Sequence, residues 1–192
     1  MKVITAIEEY EPNPNDLKVF MAGGITKCKD WQKEMITHIE NLDRNFNYGY
    51  NSPYKIFDKL VLFNPRRENF PIHDPNASLD QIKWEFKWLE QCDFFLMHFC
   101  KSESVQPICM YELGRNLVRM QQKFPRDYLH RIMICIEPGY SREQDVIIQT
   151  ELAFDDPSYA YHIICNQDSY IYRVDDFIKR ISYFDKENID NA

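Results

Sequence analysis

Two glutamates carry the most chemical promise in this chain. Glu112 lies in "VQPICMYELGRNL", Val105 to Leu117, two residues before a glycine in mid-pattern, Gly114. Pro107 suits the first turn of a helix here. Cys109, Leu113, Leu117 and Met120 recur at helical spacing and form one apolar stripe, while Ile108, Glu112, Arg115 and Arg119 fall on another face. Glu112 is therefore not forced into the core, and a solvated pair with Arg115 or Arg119 is one reading. Gly114 argues for a second. A glycine inside a helix costs about 1 kcal/mol relative to alanine, and close approach of another backbone would justify it. The pair Gly23-Gly24 is the natural neighbour, and that contact would bring Glu112 to its loop. Glu85 lies in "SLDQIKWEFKWLEQ". There Ser78 and Gln81 have capping-box spacing, and Ile82, Phe86 and Leu89 read as the buried stripe. Glu85 sits at its edge, on the side of Trp88. Partial desolvation there would raise its pKa and suit it to handling a proton; the alternative is a surface glutamate beside a half-buried tryptophan.

Other candidates are less specific. Gly23-Gly24 belongs to neither a dinucleotide fingerprint nor a P-loop. It is a tight turn, or a loop whose amides join the next helix N-terminus in holding a sugar or phosphate oxygen. In "NPRR", Arg66 and Arg67 alternate in direction, so one of them faces a site at the strand end. It could grip a phosphate or carboxylate there, or pair with Glu68. The histidines are scattered without metal-ligand spacing, His98 reads as a packed residue, and there is no G-x-S-x-G elbow. Six cysteines without a C-x-x-C pair, several in apolar runs, read as free thiols; neither disulfides nor a zinc site is expected.

The elements that must position these residues follow from the hydrophobic pattern. "LKVFMA", "LVLF", "DFFLMHF", "RIMICIE" and "AYHIIC" are strand candidates. Between and after them come helices: one capped by Asp30 with Gln32, Lys33 and Glu34 on its wet side, the two that hold Glu85 and Glu112, "EQDVIIQTELAF", and the closing "VDDFIKRISYF". Strands apolar on both faces and alternating with helices predict a doubly wound α/β fold, a parallel sheet of about five strands with helices on both faces. A single domain over 1–192 is expected, with 1–16 as an N-terminal extension and linker, a short strand-like piece and then the turn-rich "EPNPND", and "DRNFNYGYNSPYKIFDK" as an irregular excursion. Ligands of such folds gather at the carboxyl ends of the strands. Four loops leave those ends: Gly23-Gly24, Asn64 to Arg67, Cys100 to Gln106, and Pro138-Gly139.

A formal net charge of -7 argues against a nucleic-acid polymer or an anionic membrane as partner. The N-terminus lacks a signal-peptide pattern, and no run approaches the roughly 20 apolar residues of a membrane span. With free thiols, this points to a cytoplasmic protein.

Taken together, "VFMAGGIT…DWQ", "LFNPRR", "QIKWE…CDFFL" and "QPICMYELGR" resemble, in order, the motifs of the nucleoside 2-deoxyribosyltransferase-like family over about Leu17 to Glu137. The resemblance implies a Rossmann-like, flavodoxin-type fold and cleavage of the N-glycosidic bond of 2-deoxynucleosides, with the deoxyribosyl group passed to another base or to water. It makes Glu112 the nucleophile. It makes Glu85, eight positions before Asp93, the acidic partner, and it places Ala22, Gly23 and Gly24 in the substrate loop. Phe20 stands where classical transferases have a tyrosine, and Gln106 where they have an aspartate that contacts the sugar.

The chemistry fits these residue types. A carboxylate under the ring can trap the oxocarbenium-like C1′ as a glycosyl ester, and a second carboxyl can protonate the departing base. Phe20, Trp31 or Trp84 could sandwich the base; Asn64, Arg66 and Gln106 are further substrate-contact candidates. No metal or organic cofactor is required. The expected partners are a small nucleoside or nucleotide and other copies of the chain, a homodimer or higher homo-oligomer. Tyr159, Tyr161, Tyr170 and Tyr172 offer a surface for assembly, or ordinary packing. Three functional readings stay open: a transferase, a hydrolase of deoxynucleosides or their 5′-monophosphates, and a nucleotide-binding module without turnover.

Overall fold

The computed structural model describes residues 1–46, 56–71, 73–154, 158, 160–165 and 171–185. Its strands are β1 (Lys2–Thr5), β2 (Leu17–Gly23), β3 (Leu60–Asn64), β4 (Phe94–Phe99), β5 (Ile132–Ile136) and β6 (Ile164–Cys165). They form one six-stranded sheet in the order β1-β3-β2-β4-β5-β6, every neighbouring pair parallel. The sheet has one strand more than expected. The extra strand lies in the expected extension: Lys2–Thr5 pairs with Val61–Asn64 and closes the β3 edge. The "AYHIIC" stretch is shorter than its pattern suggested. Ala160 and Ile163 bury at a spacing of three, and Ala160–Ile163 is one helical turn that leaves only Ile164–Cys165 for the sheet.

The helices are α1 (Trp31–Phe46), α2 (Ala77–Gln91), α3 (Pro107–Lys123), α4 (Glu143–Leu152), α5 (Ala160–Ile163) and α6 (Ile171–Ser182). Alternation along β2 explains how both sheet faces become covered. Val19 and Met21 pack with Trp31, Met35 and Ile39 of α1 and with Phe177, Ile178 and Ile181 of α6. Phe20 and Ala22 point the other way, to Trp84 and Trp88 of α2, Leu113 and Leu117 of α3, and Val146 of α4. Successive strand residues face opposite sides, so a strand covered twice must be apolar throughout. No helix among the described residues is long and apolar enough to cross a membrane.

Local signals held unevenly. The Asp30 carboxylate accepts a hydrogen bond from the Lys33 amide at 3.1 Å, capping α1 as its position predicts. Lys33 and Glu34 are exposed, but Gln32 is fully buried, because Arg66 reaches across and donates to its side chain. In α2 no capping box forms: the helix starts at Ala77, and Gln81 turns to other partners. The expected Ile82-Phe86 stripe is exposed, at 61% and 52%, and the helix buries Trp84, Trp88 and Leu89 instead. Trp88 stacks on Phe63 with ring centroids 4.1 Å apart, a contact worth about 0.5–1.5 kcal/mol beyond the area it buries. In α3 the Cys109-Leu113-Leu117-Met120 stripe is buried as its spacing predicts.

After β2 the chain moves to β3 on one side, then crosses through α2 to β4 on the other and continues outward to β5 and β6. The direction of winding reverses between β2 and β4. The crevice outside their carboxyl ends is where a doubly wound fold holds its ligand.

Candidate active site

That crevice contains a cavity of about 250 Å³. Phe20 and Ala22 to Thr26 supply one wall from β2 and its loop; Ser104 and Gln106 to Cys109 supply another from the β4–α3 connection. Glu112 on α3, Glu85 on α2 and Pro65 after β3 complete the lining. Two carboxyl groups from consecutive crossover helices therefore open onto one space beside the diglycine turn.

Their electrostatics are coupled. Burial is the largest influence on Glu112 and the charge of Glu85 the next; together they push its carboxyl up to about 7, and Arg115 offsets this in part. Burial also raises Glu85, against a hydrogen bond from Gln81 Nε2 to Glu85 Oε1 at 2.9 Å that favours its charged form. Gln81 donates as well to the Pro65 carbonyl at 2.8 Å, tying α2 to the β3 loop. Around neutral pH Glu112 is thus partly protonated, beside a Glu85 whose carboxyl burial also raises. Neither arginine candidate makes an ion pair with Glu112 among the described residues: Arg115 lies over the Phe86 ring at 4.8 Å and acts on Glu112 only through its charge, and Arg119 donates to Asn116, Glu90 and the Leu89 carbonyl.

The diglycine turn is tight for a different reason from the one the sequence suggested. A Cβ on Gly23, at φ +150°, would lie 2.3 Å from the His98 carbonyl oxygen; a Cβ on Gly24 would lie 2.3 Å from Gln106 Oε1 and 2.5 Å from Cys28 Sγ. A Cβ on Gly114 would meet nothing within 4 Å. The close approach is thus between the β2 loop and β4 with Gln106, and Gly114 takes no part in it. Gln106 adopts φ +47° at the head of α3, and its buried amide pairs with the end of β4. Its Oε1 accepts from the Cys100 amide at 3.1 Å and its Nε2 donates to the Cys100 carbonyl at 2.7 Å.

Three expected substrate contacts do not line the cavity. Trp31 is fully buried on the opposite face, stacked on His98 with its Nε1 donating to the Gly24 carbonyl at 3.0 Å. Arg66 clamps the loop from outside. Its Nε donates to Gln32 at 2.8 Å, its Nη2 donates to the Lys29 and Gly24 carbonyls, and it pairs with Asp30 at 3.3 Å. Asn64 accepts from the Arg66 amide at 3.0 Å and shapes that turn. Trp84 packs against Phe20 and donates to the Glu8 carbonyl, so Phe20 is the one proposed base-contact aromatic that reaches the lining. Thr26, Ser104, Pro65 and Ile108 line it without having been singled out; their loop positions at the strand ends were the available signal. Gln81 was legible too, four residues before Glu85 on the same helix face.

The sequence model of the nucleoside 2-deoxyribosyltransferase-like family matches residues 16–124, from the start of β2 to the end of α3. The chain belongs to this family. No curated protein matches it closely enough to count as a relative. The matched span holds every lining residue of the cavity, Phe20 to Glu112. In this deoxyribosyltransferase-like domain, β1 on one edge and β5 and β6 on the other lie outside the match and extend the sheet, with α4 to α6 beside them. A larger cavity of about 750 Å³, bordered by Leu129, Met133, Ile164 and Arg180, lies at the β6 edge beyond the matched span. Arg180 there donates to the Leu129 and Ile132 carbonyls, and the paired carboxylates are elsewhere.

Proposed function

We propose that this protein cleaves the N-glycosidic bond of 2-deoxynucleosides and transfers the deoxyribosyl group to a second base. The observation that carries the reading is the pair of buried carboxyl groups, both raised and electrostatically linked, that line one cavity at the switch point of a family domain. Glu112, as carboxylate, attacks C1′ and forms a glycosyl ester. Glu85, whose carboxyl burial also raises, protonates the departing base nitrogen and takes a proton from the incoming base. The low polarity that raises both groups also strengthens the attraction between a carboxylate and an oxocarbenium-like carbon.

Incubation with a deoxynucleoside and a second free base is expected to give the exchanged nucleoside. Free deoxyribose as sole sugar product would mean hydrolysis, and intact substrate would mean binding without turnover. A neutral nucleoside is the expected substrate rather than its 5′-monophosphate. Among the described lining residues there is no arginine, lysine or histidine, while two acids face the space. Arg66, which the sequence offered for a phosphate, is held by loop carbonyls. The nucleoside should therefore exceed its 5′-monophosphate in kcat/KM by at least about tenfold, one charge-pair's worth of free energy; the reverse order would sink this preference.

The pH dependence follows from the two raised carboxyls. Activity requires one carboxylate and one carboxyl, so kcat/KM should fall above about 7, where Glu112 and Glu85 both ionise, and fall again at low pH, where both are protonated. A flat profile from pH 5 to 9 (about the range of catalytic carboxyls and beyond) would exclude the pair as acid and nucleophile.

A homo-oligomer and a cytoplasmic location are part of the same proposal. Ile82 and Phe86 on α2 and Ile108, Tyr111 and Val118 on α3 are all more than half exposed. Ile108 belongs both to this face and to the cavity lining, so a second copy seated on α2 and α3 would also close the cavity mouth. Of the four late tyrosines, Tyr159 and Tyr170 and the side chains of Tyr161 and Tyr172 lie outside the described residues. Light scattering should give at least a dimer for the native chain and a monomer for Phe86→Asp; a native monomer would refute the assembly.

A further inference from the structure

Among the described residues, one set of histidine, cysteine and carboxylate donors converges on a common point, and it lies on the opposite side of the sheet from Glu112. His98 and Cys100 are two residues apart at the end of β4, so both point to the α1 face. Cys100 stands opposite Glu137, one step beyond the His98–Cys135 and Phe99–Ile136 pairs of the β4–β5 ladder. His98 Nε2, Cys100 Sγ and the Glu137 carboxylate lie within 4.8 Å of one another, and the His98 Nε2 to Glu137 Oε1 separation is 3.2 Å. Cys28, from the loop after β2, brings a second thiol beside this set: its Sγ donates to Ser102 Oγ at 3.5 Å, and both it and Cys100 lie against Gly24. His98 and Cys100 are fully buried, and Cys28 is partly exposed, which gives an entry path.

One nitrogen, two sulfurs and a carboxylate form a donor set that suits Zn²⁺, which takes four such ligands tetrahedrally. Bonds of that kind set the ligand atoms roughly 3.3–3.8 Å apart. The His98–Glu137 separation of 3.2 Å is close to that spacing, Cys100 Sγ lies within 4.8 Å of both partners, and Cys28, outside that set, must turn in to complete the four. We infer that the protein binds one Zn²⁺ ion, or a divalent ion of similar softness, through His98, Cys100, Glu137 and Cys28. On binding, the two thiols lose their protons to solvent and become thiolates, and neutral His98 offers its Nε2 electron pair. The ion displaces the Lys29 ammonium, 3.0 Å from Glu137 Oε1, as that carboxylate's counter-charge.

The ion would tie together the loops after β2, β4 and β5. Those loops meet behind the cavity. Cys100 is held by the Gln106 amide, Gln106 packs against Gly24, and Cys28 lies against the same glycine. None of the four donors lines the cavity, so the metal acts as a staple behind the diglycine turn.

Titration of metal-free, full-length protein with Co²⁺ tests the assignment directly. One equivalent should give a thiolate-to-metal band in the near ultraviolet and intense tetrahedral bands in the visible, both bleached by Zn²⁺. Cys28→Ser and Cys100→Ser should each weaken Co²⁺ binding by about 100-fold or more, while Cys92→Ser, at a thiol outside the cluster, should leave it unchanged. If Cys100→Ser does not fold, the partly exposed Cys28→Ser carries the test. Absence of a thiolate band up to millimolar Co²⁺, or a band of unchanged intensity and affinity in Cys28→Ser, overturns the inference.

Discussion

Glu112→Gln is expected to lower glycosyl transfer by about 10³-fold or more while making the protein more stable at alkaline pH. The loss follows from its proposed part. The amide keeps the shape and the hydrogen-bonding capacity of the side chain, but it cannot form the glycosyl ester or balance positive charge at C1′. The gain in stability comes from the same burial that suits the residue to chemistry. With its carboxyl pushed up to about 7 in the folded chain from an ordinary 4.5, Glu112 binds its proton more tightly folded than unfolded. That linkage favours the fold at pH below the unfolded value and is lost as pH rises through the folded one. At pH 8 the folded chain bears the cost of a buried anion beside Glu85, roughly 3 kcal/mol. A glutamine has no such cost. Melting temperatures of native and Glu112→Gln protein should therefore diverge at pH 8, with the variant higher, and converge near pH 4. An active Glu112→Gln enzyme would remove the residue from the mechanism, and a variant destabilised equally at both pH values would contradict the coupled, buried pair.

The second large effect concerns two glycines that the sequence treats alike. Gly23→Ala should destabilise the fold by about 3–5 kcal/mol, combining strain at a positive φ with an overpacked contact. Its new Cβ would meet the His98 carbonyl oxygen at 2.3 Å and the Trp31 ring at 2.8 Å. Neither can retreat: the carbonyl accepts from the Gly24 amide in the β2–β4 junction, and Trp31 is wedged against His98. Gly114→Ala should do the opposite and stabilise by about 0.5–1 kcal/mol, because α3 leaves open space there and alanine is the better helix former. Urea unfolding of the two variants beside the native chain measures both. Equal effects, or a stable Gly23→Ala, would show that the diglycine turn is not the tight joint between β2 and β4.

Much of this architecture was written locally. The β2, β3, β4 and β5 segments are apolar on both alternating faces, with Lys18, Asn64 and His98 the exceptions, because each strand is covered on both sides, so their parallel, doubly wound arrangement was legible without coordinates. The α3 stripe was legible because Cys109, Leu113, Leu117 and Met120 recur without a break at helical spacing. The α2 helix failed the same test. It carries Ile82 and Phe86 on one side and Trp84 and Trp88 on the other, and periodicity alone does not say which pair the sheet will cover. The tryptophans won because Phe63 and Tyr10 offer them aromatic partners from β3 and from the segment after β1.

The sequence by itself determined the family, the sheet, and the two glutamates worth watching, because motifs and hydrophobic period are properties of neighbours along the chain. Only the tertiary structure decided what those residues face. It turned Arg66 from a candidate phosphate grip into a loop clamp, buried Trp31 behind the turn, left Gly114 bare, and set His98, Cys100 and Glu137 side by side. Each of those outcomes depends on contacts between segments tens of residues apart. Such contacts are fixed by which strand lies next to which and by what is left to fill the space between them, and no local spacing encodes either.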